Sequence, residues 1–409
     1  MINLSLNKKV LLFGFIFTFF SSFGQSFFLG IFNPSLRNEL NITHGQFGTI
    51  YAGATICSSL VLIWFGKKID DIKLFKYSFI VIGILFFSSI FFSLITNVYL
   101  LIIAIFLMRF SGQGLMSHTS STTISRYFNK RRGRALSGIW FGLSSAEFVL
   151  PILIVFLLTI FSWRIIWLFI SLIILIILPI VVFYTIKNLN FESREGSVIN
   201  PNKSYFKEVK SWRRSEVLKD FKFYIISLNM LAMPWIVTGV FIYQSFISDS
   251  KLWSSYVIPQ SFMIYSITSI LTLVSSGFLV DKFTSRKLIP FMNIPLLIGL
   301  LILSLFDFKY SAYLFFGLLG ISNGLANVLG SSTWAEIYGV KYLGSIKALT
   351  TAFMVFSTAF GTAIFGLLID NGFTIEFIAI VGVLYISISL FALLAIKSSV
   401  EPIILSKKT

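Results

Sequence analysis

Apolar residues in this chain neither recur at the three-to-four spacing of a surface helix nor alternate as in a half-buried strand; they run on in long stretches. Each stretch approaches the roughly 20 residues a helix needs to cross the hydrocarbon core of a bilayer. Hydropathy and loop charge together place twelve spans near 10–32, 47–66, 76–96, 98–122, 135–160, 164–186, 223–247, 256–280, 288–306, 310–334, 347–369 and 374–396. Their continuity excludes a membrane barrel, whose strands alternate with period two. The first stretch has no small-residue cleavage site behind it and reads as a retained span, not a removed signal peptide. The expected fold is therefore an all-α membrane protein with twelve transmembrane helices.

Composition agrees, and charge adds orientation. Of 409 residues, 56% are hydrophobic and 12% charged, with a mean hydropathy of +0.89. The net charge of +17 invites a nucleic-acid reading until the basic residues are located: 28 of the 33 Lys and Arg fall in the termini and in alternate loops. That is the positive-inside pattern, which puts both termini in the cytosol and leaves nucleic acid out. The longest interruption, residues 187–222, is basic and polar and separates an N-terminal six-helix half (1–186) from a C-terminal one (223–409). Its last stretch, 205–220, suits either an amphipathic helix on the anionic leaflet or a solvated tether. A single cysteine, Cys57, and two histidines support neither a disulfide nor a zinc site, and no cofactor is expected.

The halves repeat one another. Gly66 and Asp70 at the end of span 2 recur as Gly277 and Asp281 at the end of span 8. Gln113-Gly114-Leu115 and Ser121-Thr122-Thr123 recur, at almost the same offset, as Asn323-Gly324-Leu325 and Ser331-Ser332-Thr333. Duplication of a six-helix unit is a common way to build a transporter around a central site.

These residues resemble the major facilitator superfamily, whose loop between helices 2 and 3 reads Gly, three residues, Asp, a basic residue, one residue, Gly, then two basic positions. The second copy, 277–287, is similar to it, with Lys282 and Arg286 as basic positions and Thr284 where the family has glycine. In the first copy Asp71 and Lys73 replace the usual basic residue and glycine. Arg109, Gly112 and Gly114 in span 4 and the basic segment 126–135 are further resemblances. The segments 126–135, 214–223 and 334–339 look like the monocarboxylate and oxalate-formate branch. The resemblance implies two pseudo-symmetric halves, a path lined by spans 1, 4, 7 and 10, and a cytosolic latch at Gly66, Asp70, Gly277, Asp281, Lys282 and Arg286. It also implies a chain functional as a monomer. No Lys or Arg lies deep in spans 8 or 11, so a dianion specialist is not expected.

A charge at mid-bilayer costs about 3 kcal/mol on insertion scales and so faces a cavity or a partner. Two sit that deep, Arg109 in span 4 and Glu147 in span 5. Helical spacing puts Arg109, Gln113, Ser117 and Ser120 on one face, and the repeat puts Asn323, Asn327 and Gly330 on the matching face of span 10. Gln25 in span 1, with Asn229 and Gln244 in span 7, are further polar candidates. The guanidinium fork of Arg109 suits a carboxylate, which points to a small organic anion; the alternative is an internal Arg109–Glu147 ion pair. Glu147 is the candidate proton carrier, because a carboxyl alternating between a dry and a paired environment can take up and release a proton. His118 points away from the Arg109 face and suits helix-helix hydrogen bonding, with a proton relay as the second role. Trp64, Trp163, Trp167 and Trp253 read as interfacial anchors, and Trp140 and Trp334 as alternatives for lining the path.

No nucleophile-base pair, metal cluster or phosphate loop points to an enzyme or to ATP drive. Neither the linker nor the tail is long enough for a signalling domain. The expected function is secondary active, proton-coupled transport, by symport or antiport, of a monocarboxylate-like anion through alternating access, in lipid and most naturally a bacterial inner membrane. The competing reading is proton-linked movement of a neutral or cationic solute, with Arg109 structural.

Overall fold

A computed structural model describes residues 6–128, 132–187, 210–339 and 342–396. Among the described residues the regular structure is entirely helical, and twelve helices are long and apolar enough to cross a membrane: Leu6–Leu40, His44–Gly66, Leu74–Ser93, Val98–Tyr127, Ala135–Leu158 and Trp163–Ile186 (spans 1 to 6), then Phe221–Ile242, Val257–Val280, Ser285–Leu305, Lys309–Tyr338, Leu349–Asp370 and Ile375–Ala395 (spans 7 to 12). All twelve expected spans are present. Spans 1 and 7 begin on one face of the bundle, the terminal face; the loops after odd-numbered spans lie on the distal face.

Local chemistry starts the helices where loops meet lipid. Thr43 accepts from the backbone N–H of Gln46, whose side chain returns to Thr43 N (3.2 and 2.9 Å), a reciprocal cap for span 2. Asn97 caps span 4 and Thr374 caps span 12 with a single side-chain oxygen each, accepting from Leu100 N and Phe377 N. Inside the spans, hydroxyls donate to carbonyls one turn back, as Thr119 does to Leu115 and Thr123 to Thr119. These hydroxyls find an acceptor in their own helix and need none from a neighbour or from lipid.

Each half is clamped internally at its distal edge. In the first, Arg164 forms a two-pronged pair with Glu39 (2.6 and 2.5 Å) and donates to Ile95 O, while Trp163 Nε1 donates to the same carboxylate at 3.1 Å. In the second, the buried Lys251 ammonium bridges Asp307 (2.5 Å) and Glu376 (2.6 Å), and Trp253 Nε1 donates to Asp307 O. Trp163 and Trp253 therefore serve as clamp residues, and Trp167 is wholly buried against Phe28, Phe32 and Phe92. Of the four expected anchors only Trp64, 80% exposed, faces outward. The described end of the linker docks on the second half: Trp212 N donates to Tyr338 O (3.0 Å), and only Arg214–Val217 forms a helical turn. Of the stretch expected as helix or tether, 205–209 lies outside the described residues.

The turn after span 8 carries a strained residue. Thr284, at the position where the resembling motif has glycine, has φ 69° and ψ 146°, a region that disfavours a β-branched side chain. Glu336 of span 10 holds the turn, Oε1 accepting from Ser285 N and Oγ (2.8 and 2.6 Å) and Oε2 from Arg286 N (3.1 Å). Such backbone strain costs on the order of 1–3 kcal/mol, and glycine removes most of it. Thr284→Gly is expected to raise stability by about 1 kcal/mol, read as a higher unfolding midpoint in detergent; a lower midpoint counts against strain at this turn.

Candidate functional site

Span 1 is not continuous. It tightens over Ser22–Gly24, and Gln25 is extended (φ −83°, ψ 153°) before the helix resumes at Ser26. Span 4 also departs from α-geometry, widening into a π-helix over Arg109–Met116, a feature frequent at functional sites. The two irregularities meet. A Cβ on Gly112 would stand 2.6 Å from Gly24 N and 2.8 Å from Gly24 Cα, so only glycine permits this backbone approach. The contact brings the Gly24 carbonyl to Arg109 Nη1 (3.1 Å), while Arg109 Nε donates to Thr55 Oγ1 (3.2 Å) and the guanidinium lies 5.1 Å from the Tyr51 ring centre.

Arg109 is 3% exposed, and no carboxylate among the described residues lies within ion-pair distance of it. The Arg109–Glu147 pair left open by the sequence is not formed, and Arg109 Nη2 has no acceptor among the described residues. Beside it the Tyr51 hydroxyl is buried with no hydrogen-bond partner among the described residues, as are those of Ser22 in span 1 and Ser117 further along span 4. The shared face expected from ideal helical spacing does not persist. The π-turn shifts the register, Arg109 turns toward spans 1 and 2, and Ser120 donates to Gly14 O of span 1 (2.8 Å). Gln25 and Gln113 flank the break, half-buried.

Glu147, 7% exposed, makes no hydrogen bond or ion pair among the described residues. It lies where span 5 packs on span 8 of the other half, close enough to Tyr265 to interact electrostatically. His118 Nε2 contacts Gly66 O at 3.1 Å, tying span 4 to the end of span 2. Of the latch residues, Gly66 packs under that imidazole, Gly277 has open space on its Cβ side, and Lys282 is exposed against the Phe283 ring. Arg286 contributes its backbone N–H to Glu336. The side chains of Asp70 and Asp281 lie outside the described residues.

The second half holds a cavity of about 170 Å³ on the terminal side of the bundle, walled by spans 7, 10 and 11 with Met292 from the start of span 9. Asn323, Asn327 and Gly330 line it together, as the repeat predicts, and Trp334 lies at its edge. Asn323 Nδ2 donates to Ser269 Oγ and Asn327 Nδ2 to Asn323 O (2.9 and 3.0 Å). Asn229 is elsewhere. Fully buried, it faces spans 9 and 12, where Asn293 donates to its carbonyl oxygens and Ser389 lies 3.5 Å away. Sequence reasoning missed Met230, Met233, Met292 and Met354, four of the eight methionines, all on this wall. Met230, Met233 and Ser227, spaced three to six apart on span 7, were the available signal.

Among the described residues every hydrogen bond between the halves lies on the distal side. Asn33 donates to Ile242 O (2.8 Å), Gln244 Nε2 to Phe27 O (2.9 Å), and Tyr243 Oη to His44 O (2.8 Å), the same hydroxyl lying 3.0 Å from Thr362 O within its own half. Asp370 of span 11 accepts from His44 N and Gly45 N (3.0 and 2.7 Å), capping span 2. Below them Phe27 of the first half packs across the seam on Phe262, which joins Phe241 and Phe316 in a ring cluster of the second half. Removing the cap in Asp370→Ala is expected to populate a distally open form. In a Cys57→Ser background, maleimide labelling of Thr362→Cys, buried where span 11 meets Gly48 of span 2, should then accelerate roughly 5- to 30-fold, the equivalent of about 1–2 kcal/mol. Unchanged labelling would show that the cap does not hold this gate.

Twelve spans in two repeated halves, two irregular helices meeting at a buried cation in the first half and a cavity in the second, form the architecture of a membrane transporter. The family model described as Major Facilitator Superfamily matches residues 14–263, and the chain belongs to that family. It is a secondary transporter and not an enzyme. The fold is similar to that of nucleoside transporter NupG (TM-score 0.69, 13% identity, 97% of this chain and 99% of that one). It is also similar to a bacterial homolog of the human lysosomal transporter Spinster in its inward-facing, occupied form (TM-score 0.67, 14% identity, 96% of each chain). No curated protein matches.

Proposed function

We propose that this chain moves a small monocarboxylate-like organic anion across a bacterial inner membrane, coupled to protons, as a monomer. The observation that carries the reading is Arg109: a permanent cation, buried, with no carboxylate within ion-pair distance and no acceptor for one terminal nitrogen among the described residues. An uncompensated charge at this depth is expensive, and an anionic solute supplies the missing partner. Glu147, unpaired at the seam between spans 5 and 8, is the proposed proton carrier, since rocking of the halves changes its surroundings. The basic terminal face supports a cytosolic assignment. With that orientation the sealed distal seam and the terminal-side cavity correspond to an inward-facing state. The resemblance of segments 126–135, 214–223 and 334–339 supports the monocarboxylate branch.

The uncharged cavity wall favours the second reading, a neutral solute with Arg109 structural. Proteoliposome uptake of labelled acetate, lactate, pyruvate, oxalate and phenylacetate, with and without an imposed pH gradient, decides between them. Gradient-driven monocarboxylate uptake supports the anion reading; flux of neutral solutes alone removes it.

A further inference from the structure

The repeat makes the two halves comparable position by position, and they differ in chemistry. Span 10 carries Asn323 where span 4 carries Gln113, Asn327 opposite Ser117 and Gly330 opposite Ser120. At the position equivalent to Arg109 it carries Leu319, fully buried. The charge belongs to the first half alone. The second half presents a wall of Met230, Met233, Met292 and Met354 with Phe353 and Trp334. Its polar groups are uncharged, and the amides of Asn323 and Asn327 have already committed a donor each to the protein.

We infer that this cavity is a binding site for the apolar body of the solute, and that the solute is an amphipathic monocarboxylate bearing an aryl or branched alkyl group rather than a two- or three-carbon acid. The proposal refines the anion reading, and depends on it only for the headgroup. Size supports it: an apolar cavity of about 150 Å³ accommodates a benzene ring, and this one is about 170 Å³. Wall chemistry supports it as well. Thioethers are flexible and polarisable and make favourable contacts at aromatic edges, so a methionine-rich wall suits apolar groups of varied shape better than a small, strongly hydrated acid. The gap at Gly330 completes the site. It lines the cavity, and a Cβ there meets nothing within 4 Å, so a larger side chain fits the fold and occupies the space meant for the ligand.

The test is thermal unfolding of the purified full chain, followed by tryptophan fluorescence, with acetate, phenylacetate and 2-phenylacetamide. It is run on the wild type, Gly330→Leu and Ala326→Leu; the second variant fills the same cavity from another position on span 10. Leucine is a better helix former than glycine, so Gly330→Leu itself should unfold no earlier than the wild type. The expected result is a rise on the order of 3 °C with phenylacetate near saturation. The rise should be smaller with phenylacetamide and least with acetate, and both variants should lose the aryl-dependent part. Equal shifts for phenylacetamide and phenylacetate, lost in both variants, would leave the apolar site standing and remove the anion reading. Acetate matching phenylacetate, aryl shifts that survive both variants, or no shift with any of the three compounds would overturn the site.

Discussion

Arg109→Gln is expected to abolish carboxylate uptake while leaving a folded protein. Glutamine keeps an amide that can still donate to Gly24 O or Thr55 Oγ1, so the crossing of spans 1 and 4 retains a polar tie. What disappears is the charge and the free arm of the fork. Losing one partner of a buried charged pair costs about 2–5 kcal/mol of binding, equivalent to a roughly 30- to several-thousand-fold loss of affinity. Arg109→Lys separates charge from geometry, since a point charge restores attraction without the planar two-pronged contact, and uptake should recover only in part. Normal flux from Arg109→Gln would take the arginine out of the substrate site and leave it as a rivet between spans 1, 2 and 4.

Glu147→Gln should uncouple the cycle and leave solute exchange running. Among the described residues the side chain makes no hydrogen bond or ion pair in this conformation, so the neutral amide replaces the protonated carboxyl with little change in shape or polarity. Counterflow, which needs only binding and rocking of the loaded protein, is expected to continue. Accumulation driven by a pH gradient is expected to fall to the level of an ungraded control, because no proton can bind or leave at that position. A Glu147→Gln protein that still accumulates solute in response to the gradient places the coupling group elsewhere.

Length and continuity of apolar runs are coarse properties, and they made all twelve spans and the six-plus-six division legible in the sequence. The face of span 10 was legible too, because Asn323, Asn327 and Gly330 lie on a regular α-helix where spacing alone sets direction. Span 4 was not, because the widening at Arg109–Met116 changes the angle per residue, and helical arithmetic assumes that angle is constant. Asn229 misled for another reason. A polar residue in an apolar span needs a partner, and the sequence does not say whether it is the solute or, as here, Asn293 of another helix. Arg164 and Lys251, exceptions to the charge bias, are explained by pairing within their own halves.

Among the described residues no ion pair crosses the distal seam; it is closed by backbone carbonyls, one capped helix end and interleaved rings. Coulomb attraction would fade gradually as the halves part, and added salt would weaken it. Forces of contact vanish within an ångström or two. The gate is consequently brittle rather than elastic: it holds until it fails and spends little time ajar, and salt acts on it through the Asp370 carboxylate and the longer-range attraction of Arg37 for Asp370 and Asp249. A single-molecule record of the seam should show long closed dwells ended by abrupt jumps, with no drift between them.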